Sequence, residues 1–110
     1  MTMEQELLDL IDKFQKKVES DPELKKEVMP IKKTLNLDLG EEQYSMKIEN
    51  AQVSDFKSEM LETADLQITT TPESLRALID GSLRPMKAYV LKKIRVKGKI
   101  DDLMFLKKFF

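Results

Sequence analysis

The stretch that decides the fold runs from residue 64 to residue 98. It opens Ala64-Asp65-Leu66-Gln67-Ile68-Thr69-Thr70, turns at Thr71-Pro72-Glu73-Ser74-Leu75, and reaches Gly81. It goes on through Leu83-Arg84-Pro85-Met86-Lys87-Ala88-Tyr89-Val90 and closes on Ile94-Arg95-Val96-Lys97-Gly98. Ala64, Leu66, Ile68 and Thr70 alternate with polar neighbours, the period of a strand with one buried face. Thr71 suits an N-cap, Pro72 the first helical position and Glu73 the helix dipole, so a helix starts there. Leu75, Leu78 and Ile79 recur at helical spacing toward a core, and Gly81 supplies a stop. Pro85 opens a second short helix, with Met86, Tyr89 and Val90 as its expected apolar side. Ile94 and Val96 then alternate with Arg95 and Lys97 in a last strand.

Working outward, residues 4–19 predict an amphipathic helix with Leu7, Leu8, Ile11, Phe14 and Val18 on one face. Ser20-Asp21-Pro22 breaks it, and Asp21 with Pro22 can start a further turn. Leu35, Leu37 and Leu39 alternate with Asn36 and Asp38, as Tyr44, Met46 and Ile48 do with Ser45 and Lys47. Both predict strands with one buried and one wet face. Gly40-Glu41-Glu42 is a turn, and Asn50-Ala51 closes a second tight connection. A weaker strand over Gln52 to Ser58, with Asp55, Lys57 and Glu59, suits a guarded sheet edge. These three strands form an antiparallel meander. Asp101 to Phe110 predicts a final short helix, with apolar residues around most of its circumference.

At 110 residues, 41% hydrophobic and 35% charged, the chain predicts one globular domain with a real core. No apolar run approaches the roughly 20 residues of a membrane span. The acidic opening lacks a secretory signal, and Lys107-Lys108-Phe109-Phe110 is neither a peroxisomal address nor a lipidation box. A soluble, cytoplasmic protein is the expectation. With no cysteine and no histidine, disulfides, thiolate or imidazole catalysis and the common zinc ligands are excluded. From Gly81 onward there are nine Lys/Arg against two Asp/Glu, whereas the first 80 residues carry ten against eighteen. Such asymmetry suits either an anionic partner or mutual attraction of the two halves.

The segment from Ala64 resembles the sterol carrier protein 2 family of lipid-binding domains, and the resemblance extends over Pro22 to Phe110. It rests on Ala64-Asp65 with the strand Leu66 and Ile68, then on Gly81, Leu83, Pro85, Ala88 and Tyr89, then on Ile94, Val96 and Gly98. Met104 and Leu106 match an apolar C-terminal helix. The resemblance implies an α+β fold: a five-stranded, mostly antiparallel sheet with helices on one face and an apolar tunnel between them. It implies a tunnel that takes fatty acids, acyl-coenzyme A, phospholipids or sterols, and no catalytic residues. Three positions depart from the pattern. Lys92 stands where the family has glycine, so either it takes a left-handed conformation at a cost of roughly 1 kcal/mol or the turn differs. Glu49-Asn50-Ala51 replaces a Gly-rich turn, and Asp101-Asp102 replaces small and apolar residues.

Met46, Met86 and Met104 sit on expected inward faces, where methionine either lines an adaptable cavity or fills core gaps. Phe105, Phe109 and Phe110 can cover a tunnel mouth, form a dimer interface or complete the core. The expected cavity residues are Met46, Leu75, Leu78, Ile79, Met86, Tyr89, Val90, Leu103, Met104, Leu106, Phe109 and Phe110. Arg84, Lys87 and Lys108 are the expected head-group or membrane contacts. The basic run from Lys92 to Lys99 has no interleaved aromatics to stack bases, which argues against nucleic acid. Contact with an anionic membrane fits it better. Asp38, Glu41, Glu42, Asp101 and Asp102 each have a structural reason to be acidic, and the Asp pair offers too few oxygens for calcium. No enzyme, metal or cofactor is therefore expected. The expected function is carriage of an elongated apolar ligand in a tunnel closed by the C-terminal helix. The rival is a non-enzymatic interaction or homodimerisation module using the same groove, and a third reading is a regulatory domain serving a separate enzyme.

Overall fold

The computed structural model describes residues 2–99 and 107–110. Two helices lead, α1 (Glu4–Ser20) and α2 (Pro22–Val28). Three strands follow, β1 (Lys33–Asp38), β2 (Gln43–Glu49) and β3 (Gln52–Lys57). Next come β4 (Leu66–Thr69), α3 (Pro72–Asp80), α4 (Pro85–Val90) and β5 (Arg95–Lys97). The sheet order is β3-β2-β1-β4-β5. Among the described residues only β1 and β4 pair in parallel; the other three pairings are antiparallel.

Register explains the single core face. Leu35 lies opposite Met46 on one side and Leu66 on the other, and Leu37 lies between Tyr44 and Ile68. Six apolar side chains therefore stand together, and α1 and α3 cover them with Met3, Leu7, Ile11 and Leu75. Arg76 Nε, on α3, lies 3.2 Å from Glu6 Oε1 on α1 and ties the two covering helices. A second cluster joins Phe14, Val18, Leu24, Val28, Ile48 and Ala51 beneath α2. The buried face of α1 uses Leu10, whereas Leu8 is 40% exposed. Leu10 continues the spacing Leu7, Leu10, Ile11, Phe14; Leu8 lies one helical step, about 100°, off that line.

The caps are those the sequence specifies. Asp21 accepts the amides of Glu23 and Leu24 at 3.1 and 3.2 Å, Thr71 accepts that of Ser74 at 3.1 Å, and Gly81 ends α3 at φ 86°. Asn50 and Ala51, at φ 55° and 61°, form the two-residue hairpin between β2 and β3. Both residues are left-handed, as a type I′ turn requires. Asp55, at φ 55°, adds a residue to edge strand β3, where the register with β2 shifts. The bulge breaks the edge against further pairing.

Two expectations change. The outer face of the central strands is not wet: Asn36 and Ser45, paired across β1 and β2, are 2% and 1% exposed. Asn36 explains this. Its side chain donates to Leu61 O at 3.0 Å and accepts from Leu61 N at 2.8 Å, so the connection from β3 to β4 lies over that face. The second change concerns α4. Met86, Tyr89 and Val90 do share one helical side, but it faces outward, with exposures of 42%, 44% and 72%. Ala88, nearly opposite on the helical wheel, is the buried residue and packs with Leu78 and Ile94. Its carbonyl accepts from Lys93 N at 2.8 Å. A methyl group lets the α4 backbone approach the core closely, which turns the larger residues away. Of the expected C-terminal helix, residues 107–109 are helical, while 101–106 lie outside the described residues.

Candidate functional site

An apolar cleft lies between the sheet and the helices. Leu35, Leu37, Met46, Ile48 and Ile68 form its floor, Leu7 and Leu10 of α1 one wall, and Leu75 and Leu78 of α3 the other. Pro85, Ile94, Phe109 and Phe110 close its end. Among the described residues Thr70 is the one lining residue with a polar side chain, and its hydroxyl is engaged, donating to Lys93 O at 3.0 Å. The cleft is tightly closed, with a cavity volume of about 30 Å³. That is room for a water or two, far below the roughly 300 Å³ at which ligand pockets begin.

The C-terminal residues pack at its end. Phe109 packs against Phe14, with ring centroids 4.9 Å apart, and Phe110 meets Phe109 edge-on at 5.6 Å. Lys108 Nζ lies 2.7 Å from Glu27 Oε2 on α2. On the far side of Phe110 is a wider pocket of about 380 Å³, sharing Leu78 and Pro85 with the cleft. Lys17, Arg84 and Lys107 stand at its border, together with Leu83 and Met86, and among the described residues no carboxylate side chain lines it.

The expected site residues divide accordingly. Met46, Leu75, Leu78, Phe109 and Phe110 line the cleft. Ile79 packs half-buried against the main core without reaching the cleft. Met86 lies on the wider pocket, while Tyr89 and Val90 face outward, for the reason given by Ala88. Leu103, Met104 and Leu106, like Phe105, Asp101 and Asp102, lie outside the described residues. Of the three expected head-group cations, only Arg84 borders a pocket beside the cleft. Lys108 is paired with Glu27, and Lys87 is exposed on α4. Lys17 and Lys107 join Arg84 instead; their proximity is a product of packing that no local motif signals.

Asp38, Glu42 and Asp65 have structural partners. Asp38 accepts the Gly40 amide at 2.9 Å. Glu42 Oε1 accepts both the Tyr44 hydroxyl at 2.5 Å and the Met3 amide at 2.7 Å. Those bonds, the tyrosine's first, hold the Glu42 carboxyl below the usual carboxylate range. Asp65 is also lowered, chiefly by the Thr34 amide, which donates to it at 2.9 Å and pins the start of β4 to β1. Among the described residues no three acidic side chains converge as a metal site, and no helix is long and apolar enough to cross a membrane.

The model of the SCP-2 sterol transfer family matches residues 11–110. The chain belongs to that family. No curated protein matches its sequence significantly, but solved structures share the fold. Sterol carrier protein 2-like 2 from Aedes aegypti is 19% identical, with a TM-score of 0.63 over 97% of this chain and 98% of that one. Sterol carrier protein 2 from the same organism, solved in complex with the C16 fatty acid palmitate, is 20% identical. Its TM-score is 0.63 over 91% of this chain and 89% of that one. The sec-alkylsulfatase Pisa1 from a Pseudomonas species is 13% identical, with a TM-score of 0.66 over 78% of this chain. This chain spans 14% of that enzyme's length, so the likeness concerns only a part of it. In this family's terms, the mostly antiparallel five-stranded sheet and the helix-covered apolar face are the shared frame.

Proposed function

We propose that this SCP-2 family chain acts as one lipid-binding domain that carries an elongated hydrophobic ligand, a fatty acid, acyl-coenzyme A, phospholipid or other lipid, without catalysing a reaction. The ligand's tail lies between the sheet and helices α1 and α3. The observation that carries the reading is the apolar lining of the cleft, whose one hydroxyl among the described residues is already bonded. A space of that kind offers an acyl chain burial and offers a polar ligand nothing. Family membership and the palmitate complex of the Aedes relative support the same reading.

The cleft's 30 Å³ sets a condition: binding must open it. Phe109 and Phe110 are the elements to move, because they line its end and are only half-buried. An incoming chain gains about 0.8 kcal/mol per buried methylene, which offsets the loss of the two rings within a few carbons. The wider pocket beyond Phe110, bordered by Lys17, Arg84 and Lys107, then receives the anionic head group.

The small cavity also suits the rival reading, a groove that receives a partner's helix or a second copy. Native mass spectrometry of protein purified from its host, with titration of a fluorescent fatty acid, separates the two. A co-purifying lipid and saturable one-to-one binding are expected. A clean homodimer that carries no lipid and binds no fatty acid would overturn the carrier reading.

A further inference from the structure

Helix α4 shows an arrangement that lipid carriage by itself does not require. Met86, Tyr89, Val90 and Leu91 are four large apolar side chains exposed by 42%, 44%, 72% and 51%, all within six residues. Met86 and Val90 stand one helical turn apart with Tyr89 beside them, on the side opposite buried Ala88. Exposed cations flank this ridge: Arg84 before it, Lys87 within it, Lys92 and Lys93 after it. Among the described residues none of these four forms an ion pair. From Gly81 to Lys99 there are seven Lys/Arg and no Asp or Glu.

A contiguous exposed apolar ridge usually marks a contact surface. The chemistry of this one is specific. An apolar crest flanked by exposed cations, with a tyrosine among its members, matches the boundary between anionic head groups and acyl chains. A protein surface covering the same ridge would have to supply carboxylates around an apolar hollow, and a second copy presenting its own ridge would set cation against cation, since residues 81–99 hold no Asp or Glu. The ridge also has a defined position. Arg84, Pro85 and Met86 border the wider pocket, and Phe110 separates that pocket from the cleft. A bilayer seated on α4 would therefore face the mouth.

We propose that α4 and the turn after it form a docking surface for anionic membranes, with Met86, Tyr89, Val90 and Leu91 entering the head-group boundary and Arg84, Lys87, Lys92 and Lys93 pairing with lipid phosphates and carboxylates. This extends beyond ligand carriage, and the two can fail separately. Each Lys or Arg near such a surface changes partitioning about fivefold.

The test is co-sedimentation of the full chain with phosphatidylcholine vesicles, with and without phosphatidylserine, alongside fatty-acid titration. Wild type should bind the anionic vesicles more tightly, and added salt should weaken that binding. Lys87→Glu with Lys92→Glu should lower it roughly 25-fold or more, and Val90→Ser with Leu91→Ser should lower it at least several-fold. Lys25→Glu with Lys26→Glu, which changes net charge equally on α2, should have much less effect. All four positions substituted at α4 are exposed, so circular dichroism should show the fold intact, and fatty-acid affinity should persist. Equal binding to both vesicle types would overturn the proposal, as would equal losses for the α2 and α4 charge variants. A change in oligomeric state with no change in vesicle binding would overturn it in favour of a self-association surface.

Discussion

The Phe109 ring sits 4.9 Å from that of Phe14, tilted by 41°, and so joins the end of the chain to the middle of α1. The same Phe109 contacts both the main core cluster and the cluster beneath α2, and it lines the cleft. One side chain thus links the covering helix, the packing under α2 and the apolar space. Phe109→Ala should cost about 2 kcal/mol, less than a fully buried phenylalanine because the ring is half-exposed. Thermal denaturation should show a Tm lowered by roughly 8 °C. If the residue also closes the cleft, a fluorescent fatty acid should leave the variant faster than wild type. A lowered Tm with an unchanged release rate would make Phe109 a packing residue only.

Asn36 anchors the other face. Its amide makes both hydrogen bonds to the Leu61 backbone in a site where the side chain is 2% exposed. Asn36→Leu removes both partners at once and leaves the partly buried amide and carbonyl of Leu61 without these bonds. The expected loss is about 2 to 3 kcal/mol in urea unfolding, with faster hydrogen exchange at Leu61. A loss below half of that would mean the connection over the outer face is held by other contacts.

The sequence was most readable where the signal is local or periodic. Alternation in Leu35-Leu37, Tyr44-Met46-Ile48 and Leu66-Ile68 identified the sheet's core face, because register sets all three on one side. Thr71-Pro72 and Gly81 marked both ends of α3. Direction was harder to read. Met86, Tyr89 and Val90 form a true helical stripe, but the period of a stripe does not say whether it faces the core or solvent; the close approach allowed by Ala88 decided it. Asn36 and Ser45 looked wet because alternation reports only on one strand, while the chain crossing above them is a long-range event. The closeness of Lys17, Arg84 and Lys107 was invisible for the same reason.

Lys92 holds the left-handed position that closes the end of α4, where Lys93 N donates to Ala88 O at 2.8 Å. It is exposed and sits at φ 60°, in the left-handed region that a residue with a Cβ adopts at a cost. Lys92→Gly should stabilise the protein by about 1 kcal/mol in urea unfolding. Ala51 is also left-handed, at φ 61°, but its methyl is packed with Phe14 and Val18 and is 3% exposed. Ala51→Gly relieves similar strain and loses about one buried methyl, near 0.8 kcal/mol, so its net effect should be close to zero. Equal gains from both glycines would show that the Ala51 methyl contributes little.

Glu42 and Tyr44 make stability depend on pH at both extremes. Burial, then the hydrogen bond to Glu42, pushes the Tyr44 phenol up to about 12, while the Glu42 carboxyl is lowered by that same bond and by the Met3 amide. For Glu42 the folded chain favours the anion. Its contribution is complete above the ordinary glutamate pKa of about 4.3 and fades as pH falls through the lowered folded value. For Tyr44 the folded chain favours the neutral phenol. Its contribution is complete below about 10, the unfolded value, and is lost as pH rises toward the folded value. Glu42→Gln should therefore flatten the acid limb of stability against pH. Tyr44→Phe should be about 1 kcal/mol less stable than wild type near neutrality, with the gap narrowing from pH 10 to about 12. Subtracting the two curves cancels the lysines that titrate in the same range. Urea unfolding of both proteins across that range measures the difference directly, and a constant gap would mean that the phenol ionises equally in the folded and unfolded chains.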